Sequence, residues 1–462
     1  MSFVAEQTAG SVLRALCEHG ATNLFFHDLA TAPGHRALTA SLPGWQRYAG
    51  RALVLAARGD VVCVRDPVEP VYLDYLAELS IGPQREDILA VPAPETGEES
   101  EDLAARTLRN AGFFARLRQT LTGRGRILIH PFFPAESHFK LAGLLRDELQ
   151  VPVRVYAPPL GVARRMSAKD VVREAAVALG VPMAPGEVVR LEKETAGPAI
   201  SRLRDVVARV LHHTGAAIVR GAQSAGGSAL AVFADAGSET EQRLAEMLER
   251  TGQKAWLVDA FYEARCSANV QFCTDPNGHR VEYITSTDQR FRGVLAYDGN
   301  AWPSRAMLLT QMVDGARRMG RWFLESGGLG PAGLDCVEFR NPQTGNLEWI
   351  MAEMNPRINA SAYPYALVER INQRRQDRSR EPVGGFVSAG LRTDAEDFSA
   401  FRDRFKDLFY DERSGTGMVP FFVGALAFGK VDAAFLAGSR GEAEVLCREA
   451  VRRTETASAG RG

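Results

Sequence analysis

Met351-Ala352-Glu353-Met354-Asn355-Pro356-Arg357-Ile358-Asn359-Ala360-Ser361 is the stretch on which the reading turns, with Glu338 fifteen residues before Glu353. Trp349-Ile350-Met351 is an apolar strand, and Asn341-Pro342-Gln343-Thr344-Gly345-Asn346 before it has the composition of a hairpin turn. Glu338 lies on the strand entering that turn, within Asp335-Cys336-Val337-Glu338-Phe339. Two antiparallel strands thus bring a carboxylate from each side onto one sheet, and period-two alternation puts Glu353 and Asn355 on one face. Asp335 competes with Glu338; alternation separates the two, and Glu338 is preferred because it lies nearer the hairpin. An oxygen set of Glu338, Glu353 and Asn355 suits Mg²⁺, whose coordination is completed by waters and substrate phosphates. Arg357 adds a fixed cation for phosphate or acyl-phosphate oxygens. A surface salt-bridge cluster is the alternative.

At 462 residues the chain is long enough for two or three domains, and 45% hydrophobic with 24% charged residues is ordinary for a globular protein. A formal net charge of −1 gives no reason to expect nucleic acid or an anionic membrane as partner. Cys17, Cys63, Cys266, Cys273, Cys336 and Cys447 lack zinc-type spacing, and several sit in apolar runs as reduced structural thiols do. No signal peptide is read ahead of the first helix, and no apolar run approaches the roughly 20 residues that span a bilayer. A cytoplasmic location is expected.

The expected fold class is α/β, with α+β character in the catalytic part. Asn23-Leu24-Phe25-Phe26, Ala52-Leu53-Val54-Leu55, Val61-Val62-Cys63-Val64, Arg126-Ile127-Leu128-Ile129-His130 and Val153-Arg154-Val155-Tyr156 read as buried strands between helices. They predict an open, mostly parallel α/β domain over 1–160. Beyond Ala157-Pro158-Pro159, residues 161–255 form a small lobe and 256–370 a larger, mainly antiparallel one. Residues 371–462 form an α+β extension completing the substrate region. Arg370 to Arg380 reads as an exposed charged stretch.

Three further features have complementary chemistry. Lys169 stands at a helix start and can place an ammonium on phosphates; a solvated lysine is the plainer reading. Arg220 ends a strand and leads into Gly221-Ala222-Gln223-Ser224-Ala225-Gly226-Gly227-Ser228, where backbone N–H groups at Ser224, Gly226 and Gly227 can approach phosphate oxygens. It is no Walker loop, lacking Gly-Lys-Ser/Thr and a following helix. Trp256-Leu257-Val258 runs into Asp259-Ala260-Phe261-Tyr262-Glu263 and then Ser267-Ala268-Asn269. The extended backbone at Leu257, Val258 and Phe261 can meet an adenine edge, and Asp259 a ribose hydroxyl.

Together these residues resemble the ATP-grasp superfamily over about 160–370. The resemblance implies that Lys169 and Arg220 hold phosphates, and that Asp259 opens the segment holding adenine and ribose. Ser267 and Asn269 would face the site, while Glu338, Glu353 and Asn355 bind magnesium. Two departures stand out: Arg220 occupies a usual lysine position, and Ala229 a place where glycine is common. Leu53-Val54-Leu55, Leu128-Ile129-His130-Pro131-Phe132 and Gly415-Thr416-Gly417-Met418-Val419-Pro420-Phe421-Phe422-Val423-Gly424 resemble the narrower pre-ATP-grasp group of bacterial natural-product pathways, of the pheganomycin peptide-ligase type. The implied activity is ATP-dependent carboxylate–amine ligation through an acyl phosphate, with ATP and Mg²⁺ as cofactors and a small-molecule acid and amine as partners. A homodimer is allowed. Arg357 would stabilise charge developing in transfer, and Arg290 or Arg292 would hold the substrate carboxylate. His130 and His138 are candidates to face the acceptor. The rival readings are a non-amine acceptor or bicarbonate as the acid, and a nucleotide-binding protein without turnover.

Overall fold

The computed structural model describes residues 10–16, 20–32, 44–93, 101–191, 195–223, 229–293 and 296–459. Its first sheet contains β1 (Thr22–Phe26), β2 (Val61–Val64), β3 (Ile88–Ala90), β4 (Ile127–Pro131) and β5 (Val153–Val155), all parallel in the order 3-2-1-4-5. β1, β2 and β4 are buried at every position, which explains their unbroken apolar runs: helices such as Pro70–Glu78 and Glu136–Leu149 accompany the sheet. One run departs from expectation. Ala52-Leu53-Val54 is buried but closes a 3₁₀ helix, Trp45–Val54. A short apolar run fits a buried strand and a buried helix alike.

The second sheet is antiparallel: β6 (Gly186–Arg190), β7 (Ala217–Gly221), β8 (Leu230–Phe233) and β9 (Ala255–Ala260), ordered 6-9-7-8. The helices Ala196–Thr214 and Ser238–Thr251 share its core through Leu203, Val207, Leu244, Val219 and Trp256. Ser224, Gly226 and Gly227, in the predicted phosphate loop between β7 and β8, lie outside the described residues.

The third sheet has eight strands: β10 (Cys266–Thr274), β11 (Val281–Arg292), β12 (Ala296–Trp302), β13 (Pro331–Arg340), β14 (Leu347–Asn355), β15 (Gly385–Arg392), β16 (Gly417–Phe422) and β17 (Lys430–Ala437), ordered 14-13-10-11-12-15-17-16. The C-terminal strands thus extend the sheet that carries Glu353. Helix Leu309–Glu325 packs on this sheet with Met312, Met319 and Phe323 against Phe272, Leu334 and Cys336. The stretch from Arg370 is corrected in part: residues 376–379 are exposed as expected, but Arg375 is not. It belongs to helix Ala362–Asp377, where Arg375 is buried and donates to the carbonyls of Glu381 (2.6 Å) and Glu412 (2.7 Å), while Arg370 Nε caps Val54 O at 3.0 Å. These guanidinium groups satisfy backbone carbonyls whose nearness a sequence does not reveal. No helix is long and apolar enough to cross a membrane among the described residues.

Candidate active site

β13 and β14 form the hairpin read from the sequence, but their register contains an irregularity. Glu338 faces Trp349 and Cys336 faces Met351, whereas Asp335 faces Glu353 and Gly333 faces Asn355. Ala352 is therefore an extra residue with no partner across the pair, a bulge that turns β14 over. Trp349 and Met351 enter the core under helix Leu309–Glu325, while Glu353 and Asn355 line a cavity of about 580 Å³ on the opposite face. The bulge carbonyl is used: Arg220 Nη1 donates to Ala352 O at 2.8 Å.

This overturns the placing of Glu338. Plain alternation from Trp349 puts Glu338 and Glu353 on one face, and the bulge at Ala352 inverts that relation. Glu338 is fully buried away from the cavity, paired with Arg265 and accepting from the Leu308 N–H at 2.7 Å. Asp335 takes the place beside Glu353. It accepts from the amides of Asn269 (2.7 Å), Gln289 (3.1 Å) and Asn355 (3.0 Å). Burial first, then the neighbouring Glu353 charge, pushes its carboxyl up to about 6. Gly333 keeps the opposite strand thin here, since a Cβ would stand 2.6 Å from Asn359 Nδ2.

Three cations face these oxygens. Lys169, 7% exposed, has Nζ 3.4 Å from Glu353 Oε1; its backbone N–H donates to Ala222 O, tying the helix start to the second sheet. Burial lowers the Lys169 ammonium below its ordinary value; Glu353 opposes this and Arg220 adds to it. Arg357 donates to Asn355 Oδ1, lies over the Phe132 ring at 5.4 Å, and is lowered by burial. Arg220 Nη2 reaches Asp259 Oδ2 at 2.6 Å, and Arg173 Nη1 reaches Asp259 Oδ1 at 2.6 Å.

Asp259 is therefore fully buried and committed to two guanidiniums, which corrects its expected reach to a ribose hydroxyl. Leu257 and Val258 are corrected too. β9 is paired with β6 on one edge and β7 on the other, so their backbone groups belong to the sheet. The segment Ala260-Phe261-Tyr262 does line the cavity, with Met183, Ile218 and Ile350. Tyr262 stacks on Phe339 at 3.8 Å. Ser267 and Asn269 also line it; Ser267 Oγ donates to Gln289 at 3.1 Å.

Arg290 and Arg292 are turned away. Alternation on β11 gives the cavity Gln289 and Phe291. Arg290 donates to Ser388 O (3.1 Å) and Cys447 Sγ (3.4 Å), and Arg292 pairs with Asp298 at 2.6 Å. His130 and His138 are buried in the first domain; burial lowers both imidazoles, His130 to about 3, so the hydrogen bond of His130 to Asn23 (2.9 Å) is made by a neutral ring. Sequence reasoning missed Arg173, Gln289, Asn359 and Ser361. Arg173 was detectable one helical turn beyond Lys169, whereas Gln289 depends on sheet order.

The donor chemistry fits a hard divalent cation. Asp335, Glu353 and Asn355 offer oxygen only, and among the described residues no group of three or more His, Cys, Asp or Glu forms a closed metal cage. Two carboxylates and an amide leave positions for phosphate oxygens and water.

Residues 49–146 match the family described as the Pre ATP-grasp domain. Among solved structures the fold is similar to biotin carboxylase from Campylobacter jejuni in its beta-gamma-ATP complex, at 14% identity over 93% of this chain and 90% of that chain with TM-score 0.53. It is also similar to purK, an N5-carboxyaminoimidazole ribonucleotide synthetase, in its ADP complex (10% identity, 96% and 99% covered, TM-score 0.54). A third is the N5-carboxyaminoimidazole ribonucleotide synthetase from Thermus thermophilus (14% identity, 93% and 98% covered, TM-score 0.53). No curated protein matches the chain. The protein has the ATP-grasp fold. The match to the Pre ATP-grasp model lies in its N-terminal part.

Proposed function

We propose that this protein is an ATP-dependent ligase joining a carboxylate to an amine through an acyl phosphate, with release of ADP and phosphate. One observation carries the reading: Asp335, Glu353 and Asn355 share a cavity with Lys169, Arg220 and Arg357, beside the apolar slot of Met183, Ile218, Phe261 and Ile350. The slot suits adenine and the charged end suits a phosphate tail. Bound Mg²⁺ would offset phosphate charge there, held by Asp335, Glu353 and Asn355.

The chain's own residues supply position and charge. Lys169 and Arg220 draw the phosphates toward the carboxylates, and Arg173 with Asp259 fixes the Arg220 fork. The acid oxygen attacks the γ-phosphorus and ADP departs. The amine nitrogen then attacks the acyl carbon, the C–O bond to phosphate breaks, and the amine proton passes to phosphate or water. Arg357 faces the oxygen that gains charge in both steps. Peptide formation in natural-product biosynthesis is the reaction setting we favour, on the resemblance to the pre-ATP-grasp group.

The test is ADP release from Mg-ATP across acids and amines supplied singly and in pairs, bicarbonate included, with product masses measured. A product equal to acid plus amine less water supports the reading. ADP release with bicarbonate alone would instead assign a carboxylating reaction. Glu353→Gln should lower pair-dependent turnover by at least ~100-fold.

A further inference from the structure

We propose that Arg51 anchors an anionic group borne by the acceptor amine, at the wall that a second chamber shares with the first; this rests on the ligase reading above. The second cavity measures about 720 Å³ and shares Tyr48, Arg51, Ala296, Tyr297 and Ala360 with the first. Arg51 thus stands in the wall common to both, contributed by the 3₁₀ helix Trp45–Val54 of the N-terminal part.

Arg51 is set in a built environment. It is 8% exposed, its guanidinium lies 3.6 Å from the Tyr48 ring centroid, and it pairs with Asp432 on β17. Lys430 Nζ also stands 3.1 Å from Asp432, so one carboxylate faces two cations. Arg51 Nε is buried without a hydrogen-bond partner among the described residues. A buried N–H left unmade is costly, and an arriving oxyanion would satisfy it.

The remaining charges of the chamber point the same way. Arg292 and Arg404 are neutralised by Asp298 and Asp394, while Arg392 has no ion-pair partner among the described residues. The lining carries five basic side chains against three carboxylates, so it is net positive. Tyr363 links the chamber to the chemistry. Its ring centroid lies 5.8 Å from the Arg51 guanidinium, and Tyr363, Arg51 and Arg357 all line the first cavity. An acceptor whose anion rests on Arg51 can therefore extend its amine toward Arg357. Amines without an anion lack this hold. Of the two arginines read from sequence as holding the substrate carboxylate, Arg292 lines this chamber already paired with Asp298, and Arg290 is bonded to Ser388 O and Cys447 Sγ.

The experiment uses the full-length protein with amino acids and dipeptides, each as free acid and as C-terminal carboxamide, together with aminoalkyl phosphates. ADP release at saturating acid is one readout. The other is calorimetric binding of the same amines with a non-hydrolysable ATP analogue and Mg²⁺. Anionic amines should be favoured over carboxamides by about tenfold or more, the usual range for a charged hydrogen-bond pair. The carboxylate and phosphate arms distinguish which anion is taken. Arg51→Lys keeps charge but loses the fork and should erode the preference, with Mg-ATP binding reporting a folded protein. Lys430→Gln, half-exposed, should shift it in the same direction should Arg51→Lys fail to fold. Equal use of acids and carboxamides by the parent, or a preference retained in both variants, overturns the proposal. Absence of ADP release with every pair would sink the ligase reading instead. Binding then decides for Arg51: anion selectivity lost in the variant supports the anchor, and unselective or undetected binding overturns it.

Discussion

Asp335 holds a charge in a place poorly suited to it. Its carboxyl is raised from 3.8 to about 6 by burial and then by Glu353. At pH 7 it is ionised in both folded and unfolded chains, and the folded state bears the cost. For an acid raised in this way, the stability held by the protonated form is complete below 3.8 and lost as pH rises through about 6. The shift corresponds to roughly 3 kcal/mol, less about 1 kcal/mol for a weakened set of amide contacts in an asparagine. Asp335→Asn should therefore stabilise the metal-free protein near pH 7 by about 1–2 kcal/mol, with the gain gone below about pH 4. Thermal unfolding across that pH range checks it, and a destabilised variant at pH 7 would refute the burial argument. The same variant should lose Mg²⁺-dependent turnover. Glu338→Gln should behave oppositely: it loosens the Arg265 pair at a cost of about 1–2 kcal/mol, yet leaves Mg²⁺ dependence intact. A shifted Mg²⁺ requirement in Glu338→Gln would restore it to the site.

At the scale of elements, the bulge at Ala352 decides which carboxylate meets which. It exchanges one ladder position for a carbonyl that Arg220 captures at 2.8 Å, coupling the small sheet to the strand of Glu353. Arg220 does two things at once, bonding Ala352 O and Asp259, and a lysine has one ammonium for both. Arg220→Lys should thus raise the KM for ATP about tenfold while kcat falls less, in steady-state kinetics with saturating acid and amine. A fall confined to kcat would mean that the arginine acts on the transferring group alone. The bulge also explains what the sequence could convey. β1, β2 and β4 were legible because strands buried on both faces read as unbroken apolar runs. The hairpin of β13 and β14 was legible from its turn residues. The extra residue was not, because a bulge has no composition of its own and a single insertion reverses every face assignment beyond it. The same limit applies to Arg290 and Arg292, whose surroundings depend on the C-terminal strands joining the sheet of β11.

Across the whole molecule, the N-terminal sheet and the C-terminal strands share a hydrophobic core. Phe25, Leu53 and Val62 belong to the same buried cluster as Phe386, Phe398, Met418 and Phe435. Polar ties follow that seam: Tyr72 donates to Pro420 O at 3.2 Å, the Phe398 N–H donates to Glu69 at 2.8 Å, and Arg51 pairs with Asp432. The region read from sequence as an extension completing the substrate region is thereby also a wall of the first domain. Phe398 is the sharpest probe, fully buried with its ring 5.1 Å from Tyr72 and 5.5 Å from Tyr75. Phe398→Ala should cost about 3–5 kcal/mol, as large truncations in a packed core do. Because the core is shared, that loss should reach β1 and β2 as well as the helix containing residue 398. Hydrogen exchange should quicken in both regions together, within one unfolding transition. Exchange that quickens near residue 398 while β1 keeps its protection would separate the two ends of the chain. It would also leave the Arg51–Asp432 pair as a contact between independent units, and the second chamber would then lose its fixed wall.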